Sequence, residues 1–172
     1  MSSPPTLKHV LNISLIPGIP LDAGLTPRGK ANWVELSSGD VTTPNGTKIA
    51  SILPGGGDYC TRHVSELILE VDLRVLAKAD GEDGALFKFE SKGFDKLIPP
   101  VMGVLDGQGP PEPPPPGTEV PKALYGTEVI SVNTSSKEYW WLNFAVLVAK
   151  VALVLGEQGV DRVDYEVYQV VV

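Results

Sequence analysis

The sequence predicts an all-β chain closed into a single antiparallel barrel of about eight to ten strands. Three observations lead there. From Ser65 to Leu76 the residues alternate, with Leu67, Leu69, Val71, Leu73 and Val75 on one face and Glu66, Glu70, Asp72 and Arg74 on the other, which is the period of two of a strand. Similar runs, bounded by turn residues, recur about every ten positions, the spacing of sandwiches and barrels. No stretch makes a convincing amphipathic helix, so helical cover is missing and closure is the simplest way to remove sheet edges.

Taken in order, Lys8 to Ile16 forms a first strand that closes at Pro17-Gly18-Ile19-Pro20. Asp22 to Gly29 carries Gly24, Pro27 and Gly29 and reads as a loop. Ala31 to Leu36 is a strand containing Trp33, ended by Ser37-Ser38-Gly39-Asp40; Pro44-Asn45-Gly46 then turns the chain into Lys48 to Leu53. The glycines at 55 to 57 read as a flexible corner that delivers Asp58 and feeds the long alternating strand. That strand turns through Asp80-Gly81-Glu82-Asp83-Gly84 and returns as Ala85 to Ser91, with Phe87 and Phe89 on one face.

From Pro99 to Pro121 there are nine prolines, which suit neither a sheet interior nor a helix. This segment is expected to be an insertion, a tether or a lid over a barrel mouth. Thr127 to Asn133 resumes the strands. Phe144 to Leu155 and Val160 to Val172 form a terminal hairpin around Gly156-Glu157-Gln158-Gly159, and only Tyr139 to Val148 competes as helix.

With 172 residues and one cysteine, Cys60, the chain reads as one domain without an intramolecular disulfide or a Cys-rich metal site. A reducing, cytoplasmic setting follows as the simpler expectation, since the amino terminus has no uninterrupted apolar run of the signal-peptide kind. The longest apolar stretch, Phe144 to Leu155, is interrupted by Lys150 and is too short to cross a bilayer, so no membrane partner is expected. A formal net charge of −7 with scattered basic residues argues against nucleic acid. Assembly into a homo-oligomer stays open.

Several pieces together resemble a known family: Gly24-x-x-Pro27-x-Gly29, Leu53-Pro-Gly-Gly-Gly-Asp-Tyr59, Asp72-x-Arg74, Asp83-Gly84-Ala85, Gly93 and Trp141-Leu142-Asn143 before a strand ending near Tyr168. They are similar to the small barrels of domain of unknown function 3237, over roughly Ile13 to Val170 apart from the Pro-rich segment. The resemblance implies a calycin-like barrel with no nucleotide or metal motif. It points towards a cofactor-free enzyme on a hydrophobic metabolite. His63 to Glu66 departs from the family pattern.

The candidate catalytic residues are Asp58, His63, Asp72 and Arg74. If the polar face of the 65–76 strand points inwards, Arg74 could hold an oxyanion and Asp72 could move a proton inside a dry cavity. If it points outwards, the same row is the ordinary solvent face of an antiparallel strand. His63, near the glycine corner, titrates close to neutrality and could carry a proton, or simply decorate the surface. Trp33, Tyr59, Tyr125 and Trp141, with Asn143 as a hydrogen-bonding group, are candidates to line a substrate pocket. Two histidines and scattered carboxylates give no metal spacing, and no phosphate loop, nucleophile elbow or dinucleotide fingerprint is present, so no cofactor is expected. Three readings remain: an isomerase, cyclase or lyase acting on a hydrophobic oxygenated small molecule such as a natural-product intermediate; a non-catalytic carrier of such a molecule; and a packed interaction module.

Overall fold

The computed structural model describes residues 4–63, 67–81, 84–97, 123–156 and 159–172. Ten strands run in chain order: β1 Thr6–Pro17, β2 Leu21–Thr26, β3 Gly29–Thr42, β4 Lys48–Ile52, β5 Gly56–Arg62, β6 Ile68–Ala79, β7 Leu86–Lys96, β8 Ala123–Thr134, β9 Leu147–Gly156 and β10 Gly159–Val171. The only helix among the described residues is η1, a 3-10 turn at Trp140–Phe144. None of their helices is long and apolar enough to cross a membrane.

The expected barrel is present, as a closed eight-strand antiparallel cylinder with two extra strands. From β6 to β10 the strands pair in succession as a meander, β10 pairs β1, and β1 pairs β3. The place between β3 and β6 is filled by β4 and then β5, so the cylinder closes without a free edge there. β2 adds a ribbon to the outer half of β3.

Several element boundaries are corrected. Leu21–Thr26, expected as a loop, pairs with β3 across a bulge between Asp22 and Gly24. β3 does not stop at Leu36; it continues to Thr42, because Gly39, at φ 146°, lets Ser14 of β1 approach so closely that a Cβ would lie 2.0 Å from its carbonyl oxygen. Of the three corner glycines only Gly55 turns, at φ 99°. Gly56 and Gly57 already belong to β5. The Pro-rich segment 99–121, expected as an insertion, a tether or a lid, lies outside the described residues.

Alternation decides where the core sits. Leu69, Val71, Leu73, Val75 and Ala77 of β6 all point into the barrel and are at most 5% exposed, which places the acidic and basic row outside. One half of the barrel is filled by a single apolar cluster that includes Leu11, Leu15, Val41, Phe87, Phe89, Leu147 and Val167. Leu142 of η1 drops into this cluster, and Tyr139 meets Phe87 edge-on at 5.7 Å, so the helix plugs that end. The other half is lined by a smaller cluster, Cys60, Leu69, Val71, Leu97, Leu124 and Leu153.

Candidate active site

Between the filled half and the apolar-lined half lies a group of inward carboxyls. Asp58 arrives on β5 because the glycines before it allow an unusually close strand. A Cβ on Gly56 would lie 2.8 Å from Val75 Cγ1, and one on Gly57 would lie 2.5 Å from Trp33 Nε1. The β5–β6 ladder pairs Asp58 with Leu73 and resumes only at Thr61 with Glu70. In that gap the Asp58 carboxylate accepts the backbone N–H of Asp72 at 3.0 Å. Removal from water pushes the Asp58 carboxyl up to about 6, against hydrogen bonds from Cys60 and the Asp72 N–H that favour its charged form.

Two further acids come from β7 and β8. Asp95 follows Phe87, Phe89, Ser91 and Gly93 on the inward face of β7; Glu128 shares the inward face of β8 with Ile130 and Val132. They are 2% and 3% exposed. The register pairs Asp95 with Gly126, and Glu128 with Gly93. Each acid therefore lies over a glycine, and the two acids are diagonal neighbours on one face. A Cβ on Gly126 would lie 1.5 Å from Asp95 Oδ1, and one on Gly93 would lie 2.7 Å from Glu128 Cγ. The glycines make the room that the carboxyls occupy.

Burial pushes Asp95 up to about 7, helped by the charge of Asp58. It pushes Glu128 up to about 8, where the charges of Asp95 and Asp58 add to the rise while Ser91 and Tyr165 hydrogen bonds oppose it. Burial and the neighbouring carboxylates, not an attached cation, are the causes of the rise in all three. The Tyr165 hydroxyl, itself held protonated by burial and by these carboxylates, donates to Glu128 Oε1 at 3.4 Å. Asp95 Oδ1 and Glu128 Oε2 have no hydrogen-bond partner among the described residues, a rare condition for buried oxygens and one that a ligand or water would relieve. The same burial, with Asp58 beside it, drives the Cys60 thiol up, so it stays protonated and is no nucleophile. Among the described residues no group of three His, Cys, Asp or Glu is arranged to hold a metal ion.

The residues expected from the sequence separate into two sets. Asp58 is inside. Asp72 and Arg74 are on the outer surface, correcting the inward orientation considered for them: Arg74 Nε lies 3.3 Å and Lys92 Nζ 3.0 Å from the Asp72 carboxylate. Asp72 bonds Asp58 through its backbone N–H, and its charge adds to the rise of the Asp58 pKa. His63 stands at the end of β5 with Nε2 3.4 Å from Glu70 Oε2, on the outer side of the sheet.

Trp33 lies outside, over Gly57, because it alternates with the buried Asn32. Tyr59 alternates with Cys60 and is 61% exposed; Tyr125 alternates with Leu124 and lies under Lys150, whose Nζ is 5.0 Å from its ring centroid. Trp141 is exposed on η1, since it is Leu142 that points inwards. Asn143 is a clamp: it accepts the Thr134 N–H at 2.9 Å and donates to the carbonyls of Thr134 at 3.1 Å and Trp140 at 2.9 Å. None of these five lines the carboxyl site. Asp95, Glu128 and Tyr165 were missed, although each carries the parity of its strand's buried face.

The chain is 30% identical over 184 aligned positions to PR-toxin biosynthesis cluster protein 7 of Penicillium roqueforti, covering 98% of this chain and 94% of that one. A protein of unknown function from Rhodopseudomonas palustris superposes with a TM-score of 0.73 at 23% identity, covering 99% of this chain and all of that one. A β-barrel-like protein from Acinetobacter baumannii does so with 0.73 at 24%, covering 99% of each chain. A protein described as an enzyme from Penicillium herquei gives 0.60 at 18%, covering 99% of this chain and 98% of that one. These structures share the barrel. The family model described as Protein of unknown function (DUF3237) matches residues 5–170, and with the P. roqueforti relative this shows that the chain belongs to that family.

Proposed function

We propose that the protein is a cofactor-independent isomerase, cyclase or lyase that moves protons on a hydrophobic, oxygenated small molecule of natural-product type, with Asp58, Asp95 and Glu128 as its acid–base set. The observation that carries this reading is a set of three inward carboxyls, two of which keep an oxygen with no hydrogen-bond partner among the described residues. Titratable groups whose surroundings drive them apart define acid and base roles. With Asp58 near 6 and Glu128 near 8, Asp58 is mostly carboxylate and Glu128 mostly acid at neutral pH.

For a ring closure, Asp58 takes the proton from a substrate hydroxyl as its oxygen bonds to carbon. Glu128 donates a proton to the atom that receives the displaced electron pair. No atom is gained or lost, and Asp95, coupled to both, returns the proton from Asp58 to Glu128 for the next cycle. The apolar lining from Leu69, Val71, Leu97, Leu124 and Leu153 excludes water and so strengthens each electrostatic contact. The name of the P. roqueforti relative supports a role in secondary metabolism, and the P. herquei enzyme supports the capacity of such a barrel to house chemistry.

That same lining favours a second reading, a carrier that shelters the molecule unchanged. Incubation of the purified protein with uncharged pathway intermediates, followed by chiral chromatography and mass spectrometry, separates the two. An enzyme yields an isomer or cleavage product, and D58N and E128Q abolish its formation. Tight binding without conversion favours the carrier, and conversion undiminished in both variants removes the assigned roles.

A further inference from the structure

We infer that a cleft at the plugged end of the barrel is a second binding site, and that it takes a small ring compound carrying a protonated amine. The site stands apart from the three carboxyls and goes beyond the proposed function. Its volume is about 330 Å³, within the range of small-molecule sites. One wall is the turn after β3 with the start of β4, Thr43 to Ile49, and the other is the approach to η1, Ser136 to Tyr139. Ala79 and Asp80, where β6 ends, close the third side. Phe87 lies underneath, at the far end of β7 from Asp95, about 26 Å of strand away.

Both walls are held by their own hydrogen bonds, so the cleft keeps its shape when empty. In the turn the Thr43 N–H donates to the Thr47 carbonyl and the Gly46 N–H to the Thr43 carbonyl, each at 2.9 Å. Opposite, the Tyr139 N–H donates to Ser136 Oγ at 3.3 Å, and the Leu142 N–H donates to the Tyr139 carbonyl at 3.0 Å. The Tyr139 ring is fixed edge-on against Phe87. Together with the half-buried Ile49 and Ala79 it gives the cleft an apolar side on which a ring packs.

The charges decide the class of ligand. Lys48 is the one cation of the lining among the described residues, and it is already taken: its Nζ lies 2.7 Å from Asp40 Oδ1 and 3.7 Å from Asp80 Oδ2. Asp80 also accepts the Ser51 hydroxyl at 3.1 Å. Glu138, on the opposite wall, has no ion pair or hydrogen bond among the described residues. Asp40, Asp80 and Glu138 against Lys48 leave the cleft negative, with the unmatched charge next to Tyr139 in the chain. An ammonium that reaches Glu138 while its ring packs on the apolar side gains from both. A neutral ring gains the packing alone, and a carboxylate or phosphate meets like charge.

The test titrates three probes on one ring system, tryptamine, tryptophol and indole-3-acetate, into the full chain at pH 7.5 and follows the backbone amides by NMR. Tryptamine is expected to shift the amides of 43–49 and 136–139. It should bind about fivefold more tightly than tryptophol, the worth of one partly exposed ion pair, with indole-3-acetate weakest. E138Q should bring tryptamine down to the level of tryptophol, and E138K should reverse the order of tryptamine and indole-3-acetate. Both substitutions fall on an exposed side chain, so the fold is kept. Shifts confined to other segments, equal affinities for the three probes, an order unchanged by both substitutions, or binding of none of them would overturn the inference.

Discussion

Replacing Glu128 with Gln removes a carboxyl that the fold keeps neutral, and the structure sets how much stability this returns. The group is 3% exposed, so its proton affinity is that of a buried acid with little solvent screening. Its pKa rises from 4.5 in the unfolded chain to about 8 in the barrel. Below 4.5 both states hold the proton and the group has no effect on folding. As pH rises past 4.5 the unfolded chain ionises while the folded one does not, so native stability falls until about pH 8 and is level above it. At about 1.4 kcal/mol per tenfold in proton affinity, the loss reaches about 3 kcal/mol at pH 7 and at most about 5 kcal/mol above pH 8.

Gln keeps the shape and still accepts the Tyr165 hydroxyl, so E128Q should be as stable as the parent at pH 4 and more stable by these amounts at pH 7 and 8.5. Urea unfolding at the three pH values, with unchanged m, is the measurement. A stability difference that does not grow with pH, or that runs the other way, would refute the claim that this carboxyl is buried without a counter-charge. The expected combination, a more stable and less active protein, is the usual relation between a strained site and its scaffold.

Catalytic rate against pH should be bell-shaped, rising through about 6 as Asp58 ionises and falling through about 8 as Glu128 loses its proton; D58N should abolish activity while leaving ligand binding measurable by calorimetry. G126A, whose new Cβ collides with Asp95 Oδ1, should destabilise by about 1–3 kcal/mol in thermal or urea unfolding, and pairing it with D95A should recover part of that loss. D72N and R74A, on an exposed ion pair, should leave the urea midpoint unchanged within error and turnover intact. N143A should cost about 1–3 kcal/mol through the lost clamp on Thr134 without altering ligand affinity in calorimetric titration.

The barrel was legible because strand alternation is a local signal: the inward leucines and valines of β6 and the turn at 44–46 can be read a few residues at a time. The site was legible only at Asp58, where a run of glycines marks the spot. Asp95 escaped because the strand was stopped at Ser91, so the parity of Phe87 and Phe89 was not carried four residues further. Glu128 lay inside the expected strand Thr127 to Asn133, but the parity it shares with Ile130 and Val132 was not set against a pairing strand. In both places a glycine is a gap left for the acid across the ladder, and that is fixed by register between strands over 30 residues apart. The aromatic residues misled because large rings suggest a pocket, while Trp33, Tyr59 and Tyr125 sit one position out of phase with their buried neighbours.

The helical plug at Leu142 and Tyr139, seated on Phe87, covers one end of the cylinder's apolar core. Under the proposed function, substrate and product both use the opposite end, so accumulated product should act as a simple competitor of substrate, and release can set the pace even where the bond-making step is quick.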